Sequence, residues 1–243
     1  MVELSQRKTA LFSAILQEYV ETAKPISSKA LVEKYGFEVS PATVRNDMQE
    51  LEELGLITHP HTSAGRIPTE TGYRYYVEHY LERDRPLQSN VSHTFQAVWE
   101  VVETEQPERQ IKTLAKAVAE VAQQAVLVSF NPYSFYYTGI TNVFSQPEFS
   151  DPLVMQSFGV LIDHLDEVMT NLQPTSSRDI DILIGTDNPI SARCSILVTD
   201  YQISDGVVGA VVVLGPLRMN YQLNYQILKY IKDLLINQSP THD

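Results

Sequence analysis

The sequence predicts an α+β chain in two parts, a small domain of short helices with a hairpin appended and a larger domain in which helices pack on an antiparallel sheet. Three observations lead there. Residues 39–54 read as one helix with marked ends: Ser40 can cap it, Pro41 suits a first helical position that needs no amide hydrogen, and Gly55 stands where helices stop. Residues 56–67 hold two short extended pieces, 56–59 and 66–67, joined by small polar residues and Gly65. Residues 195–203 are strand-like, and Ser204-Asp205-Gly206 turns the chain directly into 207–214, a hairpin.

Taken in order, residues 4–22 carry Leu11, Ile15 and Tyr19 at four-residue spacing, backed by Phe12 and Leu16, which makes a supporting helix. Lys24-Pro25 breaks the chain. Ser27 or Ser28 caps a short second helix with Leu31 and Tyr35 on its buried side and Gly36 at its end. The helix at Ser40 follows after a tight turn, so the pair has the helix-turn-helix pattern, and the hairpin after Gly55 is the wing. At 100° per residue, Val44, Met48 and Leu51 fall on one stripe of the capped helix, while Ala42, Thr43, Asn46 and Gln49 face the other way and Arg45 flanks them. One guanidinium and two amides on a short-chained, nearly uncharged face are the groups that read guanine and adenine edges in a major groove. On the wing, Arg66 beside Gly65 is placed to reach an adjacent minor groove, with Ser63 and the backbone near phosphate. Thr69 then caps a tyrosine-rich helix, with Tyr73, Val77, Tyr80 and Leu81 on one stripe, and Arg83-Asp84-Arg85-Pro86 is the polar break after it.

Two further helices are expected over 92–105 and 107–124, from Phe95, Val98, Trp99 and Val102 and then Ile111, Leu114, Val118 and Val121 at helical spacing. They either join the domains or pack against a second copy. Residues 125–130, 135–140 and 181–184 read as strands and 155–172 as a helix burying Phe158, Ile162 and Leu165. The last helix spans 221–236 with Leu223, Ile227, Ile231 and Leu234 inward. The expected domains are therefore a winged helix over 1–85, a helical segment over 86–124, and over 125–243 an antiparallel sheet with helices on one face.

Composition limits what the chain can do. Of the net charge of −12, counting along the sequence leaves −3 on residues 1–85 and −9 on the remainder. Phosphate contacts supply most non-specific affinity for nucleic acid, so such a chain should bind DNA weakly without a specific, dimeric site, although Lys29, Arg45, Arg66 and Arg74 are available to one side of the first domain. No run approaches the ~18 apolar residues of a membrane span, and the N-terminus leads straight into an amphipathic pattern, so a cytoplasmic protein with no membrane role is expected. The single cysteine, Cys194, reads as a buried small hydrophobe. His59 and His61 lack acidic or thiol partners at ligand spacing, so no metal or cofactor is expected. Glu148 and Asp151 sit in a Pro-containing loop without a nearby histidine or phosphate cradle, which reads as a solvated acidic loop and not as an enzyme.

With the wing placed, several motifs stand in order: Ser40-Pro-Ala-Thr-Val-Arg-Asn-Asp-Met, Leu51-Glu-Glu-Leu-Gly-Leu-Ile, His61-Thr-Ser-Ala-Gly-Arg-Ile-Pro and Gly72-Tyr-Arg-Tyr-Tyr-Val. They resemble the HrcA family, the heat-inducible transcription repressors of bacterial chaperone operons. Gln146-Pro-Glu-Phe, Ile184-Gly-Thr-Asp-Asn and Gly215-Pro-Leu-Arg-Met-Asn-Tyr are similar to that family's GAF-like effector domain, so the resemblance implies a reduced GAF-like α+β fold for the second part.

The resemblance implies a homodimeric repressor that binds double-stranded DNA at an inverted-repeat operator, called CIRCE in the family, upstream of chaperonin and DnaK-type chaperone genes. It also implies inactivation by heat and dependence on a GroE-type chaperonin. Carried over by position, Ser40, Thr43, Arg45, Asn46 and Gln49 face the major groove, and Ser63, Gly65 and Arg66 lie on the wing. The chain departs from the family in length: what is absent falls between Ala125 and Phe135, where members carry the start of the GAF-like domain and an inserted dimerisation domain. Leu217 and Asn220 also replace a threonine and an aspartate, and Thr138 a glycine. Two other readings remain at this point, a metabolite-responsive winged-helix regulator and a winged-helix interaction scaffold that touches no DNA.

Overall fold

The computed structural model describes residues 4–60, 65–131, 134–163, 180–188, 191–203 and 207–236. The chain divides into two compact units, Met1–Leu81 and Glu82–Asp243. In the first, helices α1 (Gln6–Thr22), α2 (Ser28–Tyr35) and α3 (Pro41–Glu53) are followed by a two-stranded antiparallel sheet of β1 (Ile57–Thr58) and β2 (Ile67–Pro68), then by α4 (Glu70–His79). The caps are local chemistry. Ser27, Ser40 and Thr69 each accept a hydrogen bond from the amide three residues on, and Gly36 closes α2 at φ 64°, where a side chain would be strained. Phe12, Ile15, Leu31, Val44 and Leu51 are almost wholly buried, each stabilising the unit by about 1.5–3 kcal/mol. Gly72 is required by packing, because a Cβ there would lie 2.1 Å from the Leu56 carbonyl oxygen.

In the second unit α5 (Ser89–Val102) and α6 (Pro107–Ala122) precede β3 (Ala125–Asn131) and β4 (Ser134–Thr138). Next come α7 (Ile140–Phe144), a 3-10 turn at Pro147–Ser150, α8 (Pro152–Asp163), β5 (Asp181–Ile184), β6 (Cys194–Ile203), β7 (Val207–Pro216) and α9 (Tyr221–Ile236). The five strands form one antiparallel sheet in the order β4-β3-β7-β6-β5. β6 and β7 pair over ten residues from Cys194↔Pro216 to Ile203↔Val207, the hairpin expected from the sequence. The joining residues 204–206 lie outside the described residues, as do Leu165 and the remainder of the helix expected to run to 172.

Helices cover both faces of this sheet, where the sequence pattern was read as covering one. Ala125, Leu127, Ile196, Val198, Val212 and Leu214 pack with Val143, Phe149, Val154 and Phe158 from the α7–α8 side. The alternate residues Val126, Val128, Leu197, Val211 and Val213 are equally buried on the opposite face, where α6 packs on β3 and α9 on β6. The reason lies in the strands: residues 125–128, 196–198 and 210–214 are unbroken apolar stretches within β3, β6 and β7, which a sheet solvated on one side would not need. α5 and α6, expected as a link or as a surface for a second copy, lie within this unit, α5 against α6 and α6 against the sheet. In α9, Ile227 and Ile231 point inward as expected, but Tyr221, Asn224, Leu228 and Leu235 are buried too and Leu234 is only partly so, because the helix meets both the sheet and α6.

Candidate nucleic-acid interface

The polar start of α3 is held by its cap. Ser40 Oγ accepts from the Thr43 amide at 3.2 Å and lies 3.0 Å from Thr43 Oγ1, so these two side chains satisfy each other at the first turn. Arg45 and Asn46 are exposed and make no hydrogen bond or ion pair with any described residue, which leaves a guanidinium fork and an amide presented side by side. Gln49 is also exposed, but its amide donates to Glu53 at 3.2 Å. Of the five positions expected on this face, Arg45 and Asn46 are exposed with no side-chain partner among the described residues, Gln49 is held by Glu53, and Ser40 and Thr43 shape the helix start.

The opposite side of α3 contains a residue that the sequence reading passed over. Asp47 is buried, 3% exposed, and accepts from Arg7 Nε at 2.7 Å and Arg7 Nη2 at 2.9 Å, a two-pronged bond that fastens α3 to α1. The hydrogen bonds to Asp47 hold the Arg7 guanidinium above its ordinary pKa. The signal was present: Asp47 stands three residues after Val44 and four before Leu51, on the apolar stripe, where an unpaired carboxylate would be costly.

The wing differs more from expectation. Glu52 Oε2 meets Arg66 Nη2 at 2.7 Å, and Glu52 Oε1 meets His59 Nδ1, so Arg66 is paired with α3 and only 22% exposed. Its main chain pairs in both directions with Ile26, just before α2, at 3.0 and 2.9 Å. Gly65 is explained by that bridge, since a Cβ there would sit 2.3 Å from the Ile26 oxygen. Ser63 and His61 lie outside the described residues. Of the four cations expected on one side, Lys29 lies 3.8 Å from Glu33, Arg74 is bonded to Glu70 and Arg66 to Glu52, which leaves Arg45 without an acidic partner among the described residues. No group of His, Cys, Asp or Glu among the described residues is placed to hold a metal ion.

Comparison with known proteins supplies the family. The family described as HrcA protein C terminal domain matches residues 86–223, more than half of the chain, and a DeoR-like helix-turn-helix domain matches residues 13–70. The chain belongs to the HrcA family. A heat-inducible transcription repressor HrcA from Oceanobacillus iheyensis is 26% identical over 333 aligned positions, covering 96% of this chain and 97% of the relative. That span exceeds the 243 residues present here, so the relative carries sequence with no counterpart in this chain. The repressor of the same name from Chloroflexus aggregans is 59% identical over 80 residues, 33% of this chain and 21% of the relative. A crystal structure of a hypothetical protein at 2.2 Å resolution shares the fold, with a TM-score of 0.77 at 19% identity over 97% of this chain and 98% of that one.

The motifs of the HrcA-family C-terminal domain meet in space. Arg218 donates to Gln146 Oε1 at 3.0 Å and to Glu148 Oε2 at 3.1 Å, joining the Gln146-Pro-Glu-Phe turn to the loop before α9. Asp151 pairs with Arg193 at 3.0 Å. The loop read as solvated and acidic is thus tied down by two arginines. Asn220, where the resemblance implies an aspartate, accepts from the Leu223 amide at 3.0 Å at the start of α9. Across from these, β3 and β4 pair at Asn131↔Ser134 with two residues between, in the interval where the resemblance puts the absent segment. Cys194 is buried at 1% exposure, and burial pushes its thiol up to about 11. No helix among the described residues is long and apolar enough to cross a membrane.

Proposed function

We propose that this chain is a sequence-specific DNA-binding repressor of heat-shock chaperone genes, acting as a homodimer on an inverted-repeat operator and inactivated by heat. The observation that carries the reading is the exposed start of α3, where Arg45 and Asn46 stand unpartnered among the described residues on a helix-turn-helix scaffold. An arginine fork suits guanine O6 and N7, and an asparagine amide suits adenine N6 and N7. In this reading Ser40, Thr43 and Gln49 border the same groove and Ser63 and Gly65 lie toward the phosphates. The net charge of −12 and the paired state of Lys29, Arg66 and Arg74 fit a protein with little affinity for DNA at large, which gains its grip from two half-sites read together. The relatives' name, heat-inducible transcription repressor HrcA, supports both the regulatory role and the signal. A GroE-type chaperonin that holds or restores the binding form is the proposed partner.

The test is fluorescence anisotropy of a labelled CIRCE-type inverted repeat against a scrambled duplex at about 0.15 M salt, with the light-scattering mass of the free protein measured in parallel. Tight binding to the repeat alone by a dimer is expected. Binding to neither duplex, with chaperonin present as well as absent, refutes the repressor reading and favours a scaffold that touches no DNA.

A further inference from the structure

We infer that Glu52 is a positioning residue for DNA recognition, a carboxylate that locks the wing to the reading helix, and that Arg66 acts through Glu52 instead of on DNA. The inference rests on the DNA-binding reading above and refines it. Glu52 sits near the end of α3, and its two oxygens are divided between the two sides of the hairpin. One oxygen accepts from Arg66 just before β2, and the other meets His59 just after β1. A carboxylate has only acceptor oxygens, so both partners donate to it. The Arg66 main chain is in turn fastened to Ile26 by two hydrogen bonds. The Glu52 carboxylate therefore ties the end of α3 to both edges of the wing, and the Arg66 main chain adds the approach to α2.

The state of the guanidinium favours a strut over a DNA contact. An arginine that reaches a phosphate keeps its head in water, but here Arg66 Nε is fully buried, without a hydrogen-bond partner among the described residues, and Nη2 is held against Glu52. A winged helix must present its reading helix and its wing to DNA at the same time. The angle between them decides whether both can engage, and Glu52 joins the two.

The test is the same anisotropy assay on operator and scrambled duplexes across a salt series, with Glu52→Gln, Arg66→Ala and their combination. A strut predicts that each single change lowers operator affinity by about tenfold, that the double change is no worse than either, and that scrambled binding keeps its salt dependence. Arg66→Glu should be worse still, and adding Glu52→Arg to it should recover operator binding by restoring the pair in reverse. This swap also covers the case in which a single variant loses its fold. Tighter binding of Glu52→Gln to both duplexes, together with a salt slope shallower by about two for Arg66→Ala, one for each protomer of the dimer, would mean that Arg66 leaves Glu52 for a phosphate and would overturn the inference. So would a swapped pair no better than Arg66→Glu alone. An unaltered protein that shows no operator preference refutes the DNA-binding reading itself, an outcome that no variant is needed to see.

Discussion

Removing the Arg45 side chain separates reading from folding in this chain. The side chain is exposed and has no partner among the described residues, so Arg45→Ala takes away no packing and no buried hydrogen bond. Alanine and arginine differ little in helix propensity, which leaves stability within about 0.5 kcal/mol of the parent. A bidentate contact to guanine is worth about 1–3 kcal/mol of discrimination, and the proposed homodimer would make it twice, so the proposed operator should lose about 2–6 kcal/mol of affinity, roughly 30-fold or more. The assay is anisotropy against a panel of duplexes in which each base pair of a half-site is changed in turn. For the parent, one position should stand out; for Arg45→Ala that position should become indifferent, with unchanged thermal unfolding. An equal loss on every duplex, scrambled DNA included, would show that Arg45 serves phosphate and not a base and would refute the reasoning. A fall in melting temperature of more than a few degrees would refute its premise that the side chain bears no structural load.

Other expectations follow from the interior. Phe158 is fully buried and packs edge-on against Phe144 and Phe149, so Phe158→Ala should cost the second domain about 3–5 kcal/mol in chemical denaturation, and a cost below 1 kcal/mol would contradict the packing. Gly72→Ala gains about 1 kcal/mol of helix propensity yet sets a Cβ 2.1 Å from a backbone carbonyl, so the measured change should be a net loss of about 1–3 kcal/mol; a stabilised variant would disprove the contact. Burial holds the Cys194 thiol at about 11 in the folded chain against 9.0 when exposed, so the unfolded state releases its proton first. The associated stability is fully present below pH 9 and is lost as the pH rises toward 11, with a slope of up to about 1.4 kcal/mol per pH unit that Cys194→Ala should remove from an alkaline denaturation series. A variant with the same alkaline slope as the parent would show that Cys194 does not contribute.

The sequence by itself determined the elements whose cause is local. Ser27 or Ser28, Ser40, Thr69 and Gly36 placed three helix starts and one stop because capping needs only the residue and the few amides or carbonyls beside it, and the structure chose Ser27 of the first two. The 3.6-residue spacing identified the buried stripe of α3, and the paired apolar runs identified the β6–β7 hairpin. The free face of Arg45 and Asn46 was legible for the same reason: it is what remains of α3 once its stripe is buried. Tertiary structure decided everything that depends on what an element meets. A continuous apolar run says that a strand is buried but not on how many sides, so the second layer of helices appeared only when α6 and α9 were placed across from α7 and α8. Arg66 and Asp47 show the same limit for charge. A charged side chain's partner is set by proximity in space: Asp47 finds Arg7 forty residues away and Arg66 finds Glu52 on another element, so a cation that reads as exposed on the wing is held against α3 and an acid on an apolar stripe becomes a fastening.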